Sequence, residues 1–167
     1  MLRKLLLLLC LSGSVPVFAQ QAGPHKIDYK IIGAVLPEFV LTTPEGKRIV
    51  NSDLKSKGNL FIMTFNPMCG HCEDETDSLE ANMGLFKESR LIMLVHPNNV
   101  PMMNGFIKGH HVNDYPKIII GADSTILSDK LFLYQGLPQI NIYDKHRKLI
   151  KTFSGDVPLD SMKAYIQ

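Results

Sequence analysis

Leu60-Phe61-Ile62-Met63-Thr64-Phe65-Asn66-Pro67-Met68-Cys69-Gly70-His71-Cys72 is the stretch that decides how this chain is read. Its first six residues form a short, nearly unbroken apolar run, the pattern of a strand covered on both faces. Asn66-Pro67 ends that run. From Gly70 to about Lys87 the chain is rich in helix formers and free of proline, and Cys72, Thr76, Leu79, Met83 and Phe86 recur at three- and four-residue steps. This predicts an amphipathic helix. Cys69 therefore falls where a buried strand gives way to a helix.

That position has a chemical consequence. The first backbone N–H groups of a helix lack intrahelical partners, and the helix dipole adds partial positive charge there, so an anion is favoured. A thiolate is such an anion, and it is the species that attacks disulfides. Cys69 is read as the attacking residue. Cys72, three positions on and about one turn away, is read as the thiol that resolves the mixed disulfide. His71, when protonated, can stabilise a nearby thiolate, whereas Glu73, Asp74, Glu75 and Asp77 repel one. These opposing charges leave the direction of electron flow open.

Cysteine usage narrows the role further. The chain has three Cys. Met1-Leu2-Arg3-Lys4, the apolar run Leu5 to Leu9 and the ending Val17-Phe18-Ala19 read as a secretory signal over residues 1–19. Cys10 lies inside it, behind Leu7-Leu8-Leu9 instead of the small residues a lipid-modification site favours, so lipid anchoring is not expected. Only Cys69 and Cys72 then remain, and they can pair only with each other. A staple across two intervening residues constrains little of the unfolded chain, which argues against a structural bond. A redox-active Cys69–Cys72 disulfide is expected, with no other cofactor. A zinc site would draw on His96, His110 or His111, but no second Cys pair and no His-x-x-x-His closes a four-ligand set, so no metal is expected. Haem attachment needs His directly after Cys72, where Glu73 stands.

Removing 19 of the 167 residues leaves 148, the size of one domain. Loss of Arg3 and Lys4 from the 18 basic residues leaves 16 against 16 acids. That balance offers no footprint for nucleic acid. Residues 20–32 read as a flexible leader and 33–167 as the domain. Leu36 to Leu41, the turn Thr43 to Lys47 and Arg48 to Val50 read as a hairpin. Further strands are expected at 91–95, 117–120, 140–143 and 149–153, with helices at 100–108, 124–133 and from Pro158 onward. Lys145-His146-Arg147-Lys148 reads as a polar hairpin tip, and His110-His111 as a polar loop. Met63, Met83 and Met93 sit at apolar periodic positions as core residues, and Met102-Met103 packs on the sheet or offers an adaptable contact to a partner. Alternating strands and helices imply an α/β fold with parallel strands.

Leu36-Pro37-Glu38-Phe39-Val40-Leu41, Glu45-Gly46-Lys47, Asp53-Leu54, the strand ending at Phe65, Cys69 to Cys72 and Gly136-Leu137-Pro138 occur in the order of one family. Over roughly 33–167 the chain resembles the thioredoxin superfamily, and within it the bacterial extracytoplasmic oxidoreductases of the TlpA/ResA-like group. The resemblance implies a thioredoxin-like fold, a central mixed sheet flanked by helices, with an N-terminal β-hairpin extension. It further implies a cis peptide bond before Pro138 facing the cysteines, with Leu137, Pro138 and Met68 touching substrate. Glu75 falls where the group's reductases carry an acid that assists the resolving Cys. A solvated helix-face acid is the other reading of Glu75.

Met68 replaces the family's usual Trp, Met63 stands where cytoplasmic thioredoxins bury an acid, and Gly70-His71 resembles the pair of protein disulfide isomerases, which tends to a more oxidising poise. The implied function is thiol-disulfide exchange on exported proteins, reduction preferred over oxidation or isomerisation. A metal-binding or adaptor module on the same fold is the alternative from another class. Partners would be exported protein thiols or disulfides and an envelope electron donor or acceptor, with the protein a soluble monomer in the periplasm or cell envelope.

Overall fold

The computed structural model describes residues 27–55 and 57–167. The expected signal segment, Cys10 and residues 20–26 of the expected leader lie outside them. Within the described part of that leader, Tyr29 packs on an apolar cluster and the Ile31 carbonyl accepts from the Ala34 N–H at 3.0 Å.

Seven strands form one sheet: β1 (Val40–Thr42), β2 (Arg48–Val50), β3 (Leu60–Phe65), β4 (Arg90–Val95), β5 (Ile118–Asp123), β6 (Gln139–Tyr143) and β7 (Leu149–Ser154). Their spatial order is β2-β1-β5-β4-β3-β6-β7. β3, β4 and β5 are parallel, and β6 runs antiparallel to β3. The helices are α1 (Gly70–Ala81), α2 (Val100–His110), α3 (Leu127–Leu131) and α4 (Leu159–Lys163). Stepping from β3 to β4 to β5 moves in one direction across the sheet, so right-handed crossovers put α1 and α2 on the same face.

The apolar run of β3 is buried throughout, and its alternate side chains feed two cores. Phe61, Met63 and Phe65 pack with Leu79, Phe86, Phe106 and Met162 of the helical face. Leu60 and Ile62 face the other way, toward Leu41, Leu127, Leu131 and Leu149. All five residues expected on the apolar face after Gly70 are buried. Met102 and Met103 divide: Met103 joins the core and Met102 is half-buried.

Several boundaries differ from the sequence expectation, each for a side-chain reason. The first strand begins at Val40, because Asn51 draws the preceding backbone out of a ladder: its Nδ2 donates to the Pro37 carbonyl and its Oδ1 accepts from the Phe39 N–H, both at 3.0 Å. α1 stops at Ala81, and a 3₁₀ turn at Met83–Leu85 carries the chain on to Phe86. α3 starts three residues late. The buried Asp123 carboxylate accepts from Thr125 N–H at 2.9 Å and Ser128 N–H at 2.9 Å, as well as from both hydroxyls at 3.1 Å, and this bracket holds residues 124–126 in a turn. His110 is not in a loop. It ends α2, stacks on Phe106 at 4.4 Å and places Nδ1 2.7 Å from Asp77 Oδ1 on α1. A helix C-terminus favours a cationic side chain there.

Candidate active site

The site begins where β3 runs out. The Asn66 side chain accepts from the Met68 N–H at 3.0 Å and its carbonyl accepts from the Cys69 N–H at 3.0 Å, which reverses the chain in a tight turn. Cys69 is the N-cap of α1 with extended backbone, and its carbonyl accepts from Cys72 N–H at 2.9 Å and Glu73 N–H at 3.1 Å. The two thiols are free. Cys69 is half-buried and Cys72 is wholly buried. Burial raises the Cys72 thiol well above its ordinary range, and a hydrogen bond and like charge from Cys69 add to that. The arrangement thus offers one accessible sulfur and keeps the other protonated beneath it.

The peptide bond between Leu137 and Pro138 is cis. Pro138 is buried, and its carbonyl accepts from the Gly155 N–H at 2.9 Å, while Leu137 packs against the same cluster as Cys69. Behind this loop lies a polar network that sequence reasoning missed. The buried Gln139 amide donates to the Leu131 carbonyl at 2.8 Å and to Asn141 Oδ1 at 2.7 Å, and its oxygen accepts from the Leu133 N–H at 2.7 Å. Met68 is 71% exposed at the rim of a groove of ≈ 430 Å³ that continues over Met102 and Phe106.

Glu75 is not a solvated helix-face acid. It is 5% exposed, Oε2 accepts from the Val157 N–H at 3.4 Å, and Oε1 has no hydrogen-bond partner. Burial pushes its carboxyl up to about 7, with the charge of Asp156 adding to the rise and the Val157 N–H opposing it. It shares an open cleft of ≈ 330 Å³ with His71, Asp156 and Leu159. His71 Nδ1 lies 2.8 Å from Asp156 Oδ1, with both side chains largely exposed. Asp156 was not singled out from sequence, because it stands 85 positions from His71 and only the packing of α4 brings it there. Gly70 opens α1 facing open space, with nothing within 4 Å of where a Cβ would stand. Among the described residues no group of three His, Cys, Asp or Glu is gathered that could hold a metal ion.

No family model matches the chain. It is 27% identical to the thiol-disulfide oxidoreductase ResA of Bacillus cereus over 100% of this chain and 95% of that protein. It is also 27% identical to ResA of Bacillus subtilis, over 97% of this chain and 87% of the relative. Among solved structures, StoA from Bacillus subtilis superposes with a TM-score of 0.61 at 19% identity, covering 80% of this chain and 99% of the other. The thioredoxin domain of a thiol-disulfide oxidoreductase from Bacteroides vulgatus gives 0.65 at 16% identity, covering 82% and 99%. These structures are alike in fold.

Proposed function

The chain belongs to the thioredoxin superfamily, on the TlpA/ResA-like branch of thiol-disulfide oxidoreductases, and from that premise we propose that it reduces disulfides of exported proteins in the cell envelope. The observation that carries this reading is the pair of free thiols at the start of α1, one accessible and one buried. Cys69 as thiolate attacks a substrate disulfide, forming a bond between its Sγ and one substrate sulfur and expelling the other, which takes up a proton. Cys72 then loses its proton and attacks the Cys69 Sγ, forming the Cys69–Cys72 disulfide and releasing the second substrate thiol. Two electrons pass to the substrate, and an envelope dithiol donor restores the reduced pair. By the resemblance, Leu137, Pro138 and Met68 would meet a substrate backbone and its apolar side chains; Leu137 packs against the same cluster as Cys69, and Met68 is exposed beside it in sequence. Among the described residues no helix is long and apolar enough to cross a membrane.

Cys72 needs a base, because burial holds its thiol protonated. Glu75 serves as that base: a carboxyl poised near 7 can both take and return a proton at neutral pH. Replacing Cys72 with serine leaves the mixed disulfide on Cys69 unresolved, so envelope extracts should yield covalent complexes that a reductant releases. Extracts that yield no such complexes, from a variant whose Cys69 still reacts with a small alkylating agent, would sink the reading.

The direction of exchange turns on His71. An imidazolium free to face the thiols stabilises the reduced form and makes the disulfide a stronger oxidant. Here Asp156 draws that charge away, which favours a reducing couple. Asp156→Asn is therefore expected to make the couple more oxidising by about threefold in its equilibrium with glutathione, or ~15 mV. The shift is modest because a solvent-exposed pair is screened. A potential unmoved or lowered in this variant removes Asp156 from the account and leaves His71 to favour oxidation or isomerisation.

A further inference from the structure

At the pole of the sheet opposite Cys69, where β3 and β4 begin, a pocket of ≈ 250 Å³ is rimmed by Lys55, Lys57, Lys87, Arg90 and Lys117, with Glu88 the one acid among its lining residues. The ion pairs among the described residues join His71 to Asp156, His110 to Asp77 and Lys163 to Asp160, so none of these five cations has a carboxylate within pairing distance. Lys117 is tethered in place: its Nζ donates to the Phe86 carbonyl and, at 2.8 Å, to that of Lys87. Two of its three protons are thereby used, and one remains for a ligand.

The β6–β7 tip extends the same charge. Arg147 donates to the Leu54 carbonyl beside the pocket, and exposed Lys145 and Lys148 flank it. Burial lowers the Arg147 pKa, the carboxylate of Asp144 on the same tip opposes that, and the like charge of Arg90 adds a smaller lowering. The fold thus holds cations against one another at this pole. The acids Glu73, Asp74, Asp77 and Asp156 gather at the other end, on the first turns of α1 and the loop before α4. Basic residues outnumber acids at this pole, where Glu88 and Asp144 are the acids in contact with it, although the two nearly balance over the chain as a whole, with 18 basic and 16 acidic residues. A general polycation is thereby excluded, and a local anion site remains.

We propose that this basic pole binds phosphoryl groups that carry net negative charge, and that through them the protein settles on an anionic phospholipid surface with its cysteines turned away. The chemistry fits in size and number. The pocket suits one tetrahedral oxyanion or a small headgroup, and the spread of Lys145 and Lys148 beyond it suits further phosphates in a plane. The proposal does not depend on the direction or substrate of the exchange reaction.

The test uses the full-length chain with two probes: vesicles containing phosphatidylglycerol, compared with phosphatidylcholine alone, and inorganic phosphate in solution. Binding to phosphatidylglycerol vesicles is expected to exceed that to phosphatidylcholine at least tenfold and to fall steeply with salt. Lys57→Glu combined with Lys87→Glu, both exposed positions, should reduce it at least tenfold while exchange on a small disulfide substrate stays unchanged. Binding of inorganic phosphate that is lost in the same variant supports the anion site, whereas phosphate binding with no preference for phosphatidylglycerol vesicles overturns the surface placement. Equal binding to both vesicles without phosphate binding, or binding that survives the double substitution, overturns the proposal.

Discussion

Glu75→Gln is expected to make the protein more stable at pH 8 and slower in exchange. The carboxyl has an ordinary value of 4.5 and is pushed up to about 7 by burial, so the folded state keeps its proton where the unfolded chain has lost it. Between those two values the native state binds more protons than the unfolded state, and stability falls as pH rises. The full difference amounts to ~3 kcal/mol and is complete above pH 7. Glutamine keeps an oxygen for the Val157 N–H and removes the ionisation. The variant should therefore match the parent near pH 4, gain up to ~3 kcal/mol at pH 8, and show a flatter stability profile between.

Exchange should move the other way. Without a carboxyl to take the Cys72 proton, release of substrate from Cys69 is expected to slow about 10²-fold. Denaturant melts across pH 4 to 8 and single-turnover decay of the mixed disulfide measure the two effects. Parallel stability profiles for variant and parent, together with unchanged decay, would return Glu75 to the role of a solvated acid. A site that destabilises its own fold to hold a proton is a common trade of stability for activity.

The second large effect lies far from the thiols. A Cβ added at Gly121 on β5 would sit 2.6 Å from the Thr42 carbonyl oxygen and 2.8 Å from the Leu41 side chain. Both neighbours belong to β1, which pairs with β5 through Leu41 with Asp123 and Thr42 with Ala122. The obstacle is backbone, so relief requires β1 to move away from the sheet. Leu41 is fully buried in the second core with Phe39, Ile49 and Leu60, and shifting β1 loosens that cluster. Gly121→Ala is expected to cost ~3 kcal/mol and to lower Tm by roughly 6–12 °C. Exchange per folded molecule should persist, because β3, α1 and the Pro138 loop lie on the other side of β4. A Tm within one or two degrees of the parent would mean that β1 is not held against β5 as described.

Much of the site is local and was legible for that reason. The apolar run to Phe65, the break at Asn66-Pro67 and the helix periodicity place Cys69 at a helix N-terminus through interactions within a dozen residues. The hairpin of Ile140 to Tyr143 with Leu149 to Phe153 was equally readable, because Asp144 closes it by accepting from the His146 and Lys148 N–H groups. Boundaries were misjudged where a polar side chain competes with the ladder or the helix, as Asn51 does before Val40 and Asp123 does before Leu127.

By itself, then, the amino-acid order determined the reaction type: two cysteines, one turn apart, at the end of a buried strand. Tertiary structure alone decided how protons and charges are handled around them. Val157 and Asp156 reach Glu75 and His71 across more than eighty positions, and the desolvation that lifts Glu75 is a property of everything packed about it. The basic pole has the same origin, drawn from the segments at 55–57, 87–90, 117 and 147. Burial and Coulombic interaction depend on distance in space, which local sequence periodicity does not encode.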